Sequence, residues 1–118
     1  MKAYRKTPVG AHYGIGDWLL QRLTALVMAT YTVVALVLIC SYAPASQADW
    51  RALFSGAFFR PLTMVFAVAL LYHAWVGMRD IVMDYVKPTG IRLALETAIG
   101  GVLVVYLIWA ASILWGAR

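Results

Sequence analysis

Three long uncharged apolar runs constrain the fold of this chain more than any other feature of the sequence. They cover residues 23–39, 61–78 and 97–117, which are 17, 18 and 21 residues long. A helix needs roughly 20 mostly apolar residues to cross the hydrocarbon core of a bilayer. Because a backbone in lipid must satisfy its own hydrogen bonds, such runs form helices. We therefore predict an all-α membrane protein with three transmembrane helices.

The predicted spans extend beyond these runs, to about residues 18–41, 58–83 and 92–115. A basic tail over residues 1–16 precedes the first span. We expect a loop over residues 42–57 and a short connection over residues 84–91, where Pro88 and Gly90 disfavour helix. A signal peptide is rejected for the first run, because its apolar region would be only about 7–15 residues long.

The composition indicates one transmembrane domain over residues 1–118. The chain is 64% hydrophobic and 13% charged, whereas an ordinary soluble domain is about 25% charged. Its net charge of +5 does not indicate a nucleic-acid partner, because the basic residues lie in the tail, in loops and at helix ends. Cys40 is the only cysteine, which excludes an intrachain disulfide or a cysteine-ligated iron–sulfur cluster.

The basic residues also predict the orientation, since cytoplasmic loops carry more Lys and Arg than loops on the other side. The two predicted sides carry, respectively, Lys2, Arg5, Lys6, Arg22, Arg79, Lys87 and Arg92, and Arg51, Arg60 and Arg118. We therefore expect a cytoplasmic N-terminus and a periplasmic C-terminus.

His73 is the most informative residue, because it lies near the middle of the second span, where polar groups are costly. Its imidazole could ligate haem iron, join a proton relay or bond to a neighbouring helix. Helical spacing places Gly77, Asp80 and Asp84 near the same face. Gly77 would let a flat macrocycle approach the backbone. With one central histidine, a haem held by two imidazoles would need a second ligand from another chain.

Arg22 lies about one turn inside the first span and needs an anion there. The candidates are a haem propionate, Asp17, Asp80 and a lipid phosphate reached by snorkelling.

Asp84 and Tyr85 end the second span. A tyrosine commonly anchors at the interface, and Asp84 could pair with Lys87. Alternatively, the phenol could donate to a quinone carbonyl while the acid supports protonation. Both interpretations remain open on the residues alone.

Several segments resemble one family. The segment Tyr72-His73-Ala74-Trp75-Val76-Gly77-Met78, followed by Met-Asp-Tyr-Val-Lys-Pro at residues 83–88, resembles the hydrophobic membrane anchor of succinate dehydrogenase (respiratory complex II). Residues 16–18, 22–25 and 104–106 are similar as well. In some members a histidine precedes the acid at position 17, whereas this chain has Gly16 there and a histidine nearby at position 12.

The resemblance implies half of a heterodimeric anchor bundle in a bacterial inner membrane. His73 would be one axial ligand of haem b, with the other from a companion cytochrome b556-type anchor subunit. Arg22 would lie near the haem propionates. Tyr85 would hydrogen-bond ubiquinone, and Asp84 would line that region.

The same resemblance implies a flavoprotein subunit that oxidises succinate and an iron–sulfur subunit that passes electrons to the membrane. This chain has no flavin fingerprint and no cysteine cluster, so it would anchor the enzyme complex without oxidising succinate itself. The alternatives are the anchor of a quinol:fumarate reductase and a non-redox transporter or assembly protein. A proton-coupled transporter would be expected to carry an acid deep in a span, yet residues 18–39 and 97–117 contain none.

Overall fold

A computed structural model describes residues 11–116 of the chain, with side chains from Ile15 onward. This part contains four α-helices and no strand. They are α1 (Ala11–Tyr42), α2 (Gln47–Phe54), α3 (Phe59–Tyr85) and α4 (Thr89–Gly116). Three segments are long and apolar enough to cross a membrane, namely Ile15–Tyr42, Phe59–Tyr85 and Thr89–Gly116. The prediction of an all-α protein with three long apolar helices is confirmed.

Helix α3 lies at the centre of the arrangement. Helices α1 and α4 each pack along α3, and α2 contacts it as well. Few side chains are buried, and those that are buried among the described residues are apolar. Large apolar side chains such as Leu26, Val33 and Ile108 are exposed along the long helices. An apolar surface of this kind suits lipid tails rather than water.

Gly100 lets α4 approach α3 closely. A Cβ atom at this position would lie 3.4 Å from the indole ring of Trp75, whereas one at Gly101 would meet nothing within 4 Å. Small residues commonly allow such close contacts between membrane helices. Of the two adjacent glycines, only Gly100 therefore lies at the α3–α4 contact.

Helix α2 occupies a stretch that we predicted as loop, and that prediction is wrong for residues 47–54. Ser46 caps the helix by accepting a hydrogen bond from the Asp49 N–H at 3.2 Å, while the Asp49 carboxylate accepts from the Ser46 N–H at 3.0 Å. The spacing of Ser46 and Asp49 is that of a capping box. Helix α1 likewise begins at Ala11, inside the stretch that was expected to be tail.

Aromatic side chains join three helices at the α2 end of the molecule. We call Tyr31, Phe54, Phe59 and Phe66 the aromatic cluster. The Tyr31 ring lies 4.4 Å from the Phe66 ring and 5.6 Å from the Phe59 ring, centroid to centroid. The Thr63 hydroxyl donates to the Phe59 carbonyl, so its oxygen can accept from the Tyr31 hydroxyl at 2.7 Å. The phenol of Tyr31 is thus both packed and hydrogen-bonded.

Candidate functional site

His73 lies near the midpoint of α3, which runs from Phe59 to Tyr85. Its ring faces α1, where Nδ1 lies 3.0 Å from the hydroxyl oxygen of Thr24. The bond connects residues 49 positions apart in the sequence and is partly buried. The central imidazole is therefore held by a neighbouring helix through one of its two ring nitrogens.

The surroundings of Thr24 indicate which partner donates in this bond. The Thr24 hydroxyl has one proton, and it donates to the Leu20 carbonyl at 2.7 Å, with the Gln21 carbonyl at 3.1 Å. Its oxygen can then accept from a protonated Nδ1. In the neutral imidazole this leaves Nε2 with the lone pair that a metal ligand requires. Among the described residues, no hydrogen bond to Nε2 is found.

A cavity of about 400 Å³ lies between α1 and α3 beside this histidine. We call it the polar cavity, because ionisable side chains from both helices line it. Its wall is formed by Asp17, Trp18, Gln21, Arg22, Ala25, His73, Val76 and Asp80. The structure thus brings two predicted residues, His73 and Arg22, into one space, together with Asp80.

Asp17 does not serve as the anion for Arg22, because it forms an ion pair with Arg79. The Arg22 guanidinium instead lies over the Trp18 ring, 5.1 Å from its centroid. Arg22 is exposed on this chain, and within residues 15–116 no salt bridge to it or to Asp80 is found. Of the four anions considered for Arg22, Asp17 is therefore already paired with Arg79.

Two polar atoms near the polar cavity are buried without a partner among the described residues. They are the side-chain carbonyl oxygen of Gln21 and Nε of Arg79. Such atoms are uncommon in native structures, since each carries a desolvation cost. Gln21 also faces Gly77, where an added Cβ would lie 3.7 Å from its amide nitrogen. The bare face of Gly77 is therefore directed towards α1 and not towards open space.

Tyr85 and Asp84 lie at the far end of α3 and not in the polar cavity. Tyr85 is 80% exposed, and Asp84 is exposed too. Tyr85 is 12 residues beyond His73, which corresponds to about 18 Å along the helix axis. Within the described residues Asp84 forms no ion pair with Lys87. The residues that the structure describes therefore leave most of the tyrosine side chain uncovered.

Similarity to known proteins identifies the family. A model of the succinate dehydrogenase/fumarate reductase transmembrane subunit matches residues 3–114. The chain belongs to this family. It is also 44% identical, over 105 residues, to the succinate dehydrogenase hydrophobic membrane anchor subunit of Coxiella burnetii (strain RSA 493 / Nine Mile phase I), covering 89% of this chain and 91% of that protein. The family predicted from the segments around His73 is confirmed.

Two side chains in the polar cavity have the chemistry that would suit a haem. Among the described residues, no group of three His, Cys, Asp or Glu side chains could hold a metal ion. A haem iron takes its equatorial nitrogens from the macrocycle, so one imidazole on each face is sufficient. His73 offers one such nitrogen, and the Arg22 guanidinium in the same cavity is a match for a carboxylate.

Sequence reasoning missed several residues in or next to the polar cavity. Thr24 bonds to His73, Trp18 lies beneath Arg22, and Gln21 fills the space at Gly77. Thr24 is one of three threonines in the same apolar helix, and all three hydroxyls donate to a carbonyl four residues earlier. Which of them faces the histidine depends on how α1 crosses α3, and nothing in the local sequence shows it.

Proposed function

We propose that this chain is the hydrophobic anchor subunit of a succinate:quinone oxidoreductase in a bacterial inner membrane, with its N-terminus in the cytoplasm. His73 supplies one axial ligand of haem b, and Tyr85 and Asp84 form part of the ubiquinone-reduction site. The observation that carries the proposal is the bond from His73 Nδ1 to Thr24 at 3.0 Å, because it leaves Nε2 available in the middle of the bundle.

The haem is shared with a second subunit in this proposal. His73 is the only histidine between residues 13 and 118, so the opposite axial ligand comes from a companion cytochrome b556-type anchor subunit. Arg22 and Asp80 line the polar cavity yet are exposed on this chain. Charged groups at membrane depth require partners, and a second anchor packed over the cavity would provide them.

Two groups of this chain would hold the haem. His73 Nε2 would bind the iron, and the Arg22 guanidinium would pair with a propionate. A bound haem takes up and releases one electron at a time within the membrane. Thr24 and the stacked Trp18 would keep the two binding groups in position.

Quinone reduction takes place at the end of α3. A flavoprotein subunit obtains two electrons by oxidising succinate, and an iron–sulfur subunit passes them to the quinone. The quinone also takes up two protons. The Tyr85 phenol donates a hydrogen bond to a quinone carbonyl, and the adjacent Asp84 side chain supports protonation of the quinone. The 80% exposure of Tyr85 is consistent with a pocket whose remaining walls belong to the iron–sulfur subunit and the companion anchor.

Optical spectra of the purified complex test the haem assignment. His73→Ala should abolish the low-spin haem band, because one axial ligand is lost. Tyr72→Leu is the matched control, since this neighbouring side chain is 40% exposed and lies on another face of α3. A normal low-spin band in His73→Ala would contradict the proposal.

Paired activity assays test the quinone assignment. Tyr85→Phe should lower succinate:ubiquinone reductase activity by about 10-fold or more, because a hydrogen bond to the reacting carbonyl is lost. Succinate oxidation by a water-soluble artificial acceptor should be unchanged. Tyr42→Phe, which removes a hydroxyl from a residue 71% exposed at the opposite end of the bundle, should affect neither assay. Equal losses in the two assays of Tyr85→Phe would refute the role.

A second candidate is the anchor of a quinol:fumarate reductase, because the matching family model covers both enzymes. The same residues would serve either direction, since the potentials of the quinone and of the partner clusters set the direction. Succinate:quinone and fumarate:quinol rates, measured on one purified complex, distinguish the two. Faster fumarate reduction would favour this candidate.

A further inference from the structure

We infer that Thr24 is a positioning residue for the haem: its hydroxyl oxygen fixes the tautomer and orientation of His73 and increases the electron donation from Nε2. This inference rests on the proposed role of His73 as a haem ligand. It goes further by assigning control of the properties of the bound haem to Thr24, a residue of α1 that is not itself a haem ligand.

Thr24 differs from the other threonines of α1 in its second contact. Thr30 and Thr32 donate to the carbonyls of Leu26 and Met28 at 2.8 and 2.7 Å. Both are exposed, and neither bonds to another helix within the described residues. Thr24 makes the equivalent bond to the Leu20 carbonyl at 2.7 Å and also contacts His73 at 3.0 Å. Its hydroxyl therefore bonds to a second helix as well as to its own.

Two arrangements of protons are conceivable at this contact. If the Thr24 hydroxyl donated to Nδ1, the imidazole proton would sit on Nε2, and that nitrogen could not bind iron. If the hydroxyl donates to Leu20, Nδ1–H donates to Thr24 and Nε2 is free to bind. The carbonyl of Leu20 is the nearer partner, at 2.7 Å against 3.0 Å for Nδ1. The geometry therefore favours the arrangement that is competent for ligation.

An acceptor on Nδ1–H has two further effects on a ligating histidine. It restricts rotation of the ring, and it makes the opposite nitrogen a stronger donor. A stronger donor stabilises the ferric state of the iron over the ferrous state, which lowers the midpoint potential. Loss of such an outer partner typically costs 10–100-fold in metal affinity.

Thr24→Val in the complete complex tests the inference, because valine keeps the shape of threonine without its oxygen. The haem midpoint potential should rise, and haem should dissociate on the order of 10–100-fold more readily. Thr24→Ser, which keeps the hydroxyl, should restore both values. Thr32→Val removes a hydroxyl from the same helix without touching His73, and should change neither. If Thr24→Val prevents assembly, Thr24→Ala provides the same comparison with a smaller side chain.

The alternative is that the bond only joins two helices. In that case Thr24→Val would lower the thermal stability of the complex while the haem potential and haem content stayed at wild-type values, and the inference would be overturned. The proposed function would survive that result if His73→Ala still lost its low-spin haem. Retention of low-spin haem by His73→Ala would instead refute the proposed function, and Thr24 would then have no ligand to position.

Discussion

At the two ends of the helical bundle, the chain differs in how many of its polar and charged side chains find hydrogen-bond or ion-pair partners within it. At the α2 end, the aromatic cluster packs rings from three helices together, and the Tyr31 hydroxyl is bonded to Thr63 at 2.7 Å. At the other end, the polar cavity holds an exposed arginine and an exposed aspartate, and a buried oxygen of Gln21 has no partner among the described residues.

This difference separates residues that stabilise the chain from residues to which the proposed function assigns a cofactor and a second subunit. A membrane protein gains little from burying apolar groups away from lipid, so its helices associate through packing and hydrogen bonds. The aromatic cluster supplies both within one chain. The polar cavity supplies a histidine, charges and space, which a cofactor and a second subunit would complete. Variants at the two ends should therefore affect different properties.

The largest expected effect is on stability, at the aromatic cluster. Phe59 is 4% exposed, and Phe59→Ala would leave a cavity among the stacked rings. By comparison with soluble cores, we expect a loss of about 3 kcal/mol in the free energy of unfolding, measured by denaturation in detergent micelles. Phe58→Ala is the control, because Phe58 is 74% exposed. Equal losses for the two variants would show that the cluster does not hold the helices together.

The ion pair beside the polar cavity should contribute less to stability. The Asp17 and Arg79 side chains are 34% and 29% exposed, so their interaction lies between the surface and buried cases. Asp17→Asn should cost about 1 kcal/mol in the free energy of unfolding. A double-mutant cycle with Arg79→Gln measures the coupling directly. A coupling energy near zero would show that these residues are not paired in the membrane.

Arg22 should affect the haem and not the stability of the chain. Arg22→Leu removes a positive charge near the proposed propionates, so the haem midpoint potential should fall. Because the arginine side chain is exposed, we expect a change that corresponds to about 0.5–1 kcal/mol. Arg22→Lys, which retains the charge, should keep most of the wild-type potential. An unchanged redox titration of Arg22→Leu would exclude the propionate role.

The smallest expected effect is a pH dependence at α2, outside the membrane spans. Hydrogen bonds from the Ala45 N–H, the Ser46 hydroxyl and the Ser46 N–H hold the pKa of Asp49 below its ordinary value of 3.8. A depressed folded-state pKa means that this stabilisation is present above pH 3.8 and is lost as the pH falls through the folded-state pKa. After correction for intrinsic rates, the amide protons of helix α2 should therefore exchange faster in acid than at neutral pH.

The control for this measurement is Asp49→Asn, which cannot titrate. After correction for intrinsic exchange rates, wild-type α2 should lose protection below about pH 4, whereas the variant should show no such step. A step of the same size in both proteins would mean that another group is responsible.

The three membrane helices could be predicted from the sequence, because runs of 17 or more uncharged apolar residues seldom form anything but membrane-spanning helices. It also singled out His73, since an imidazole in the middle of such a run is rare. Helix α2 was missed although Ser46 and Asp49 have capping-box spacing. The short segment around them mixes polar and apolar residues, so its composition indicated a loop.

The ion pair between Asp17 and Arg79, beside the polar cavity, could not be predicted from the sequence for a physical reason. Asp17 and Arg79 are 62 residues apart, and on sequence grounds Asp17 and Asp80 were both candidate anions for Arg22. The choice depends on the rotation of α1 and α3 about their own axes, which many weak contacts determine together. The same rotation decides that Thr24, and not Thr30 or Thr32, meets His73.

A density map of the assembled complex tests the central claim most directly, because it shows which atom of His73 meets the iron. The account predicts haem iron bound to Nε2 of His73, with Nδ1 still bonded to Thr24 and the opposite ligand coming from a second anchor chain. A map in which the His73 ring is surrounded only by lipid tails or apolar side chains would contradict the account, as would ligation through Nδ1.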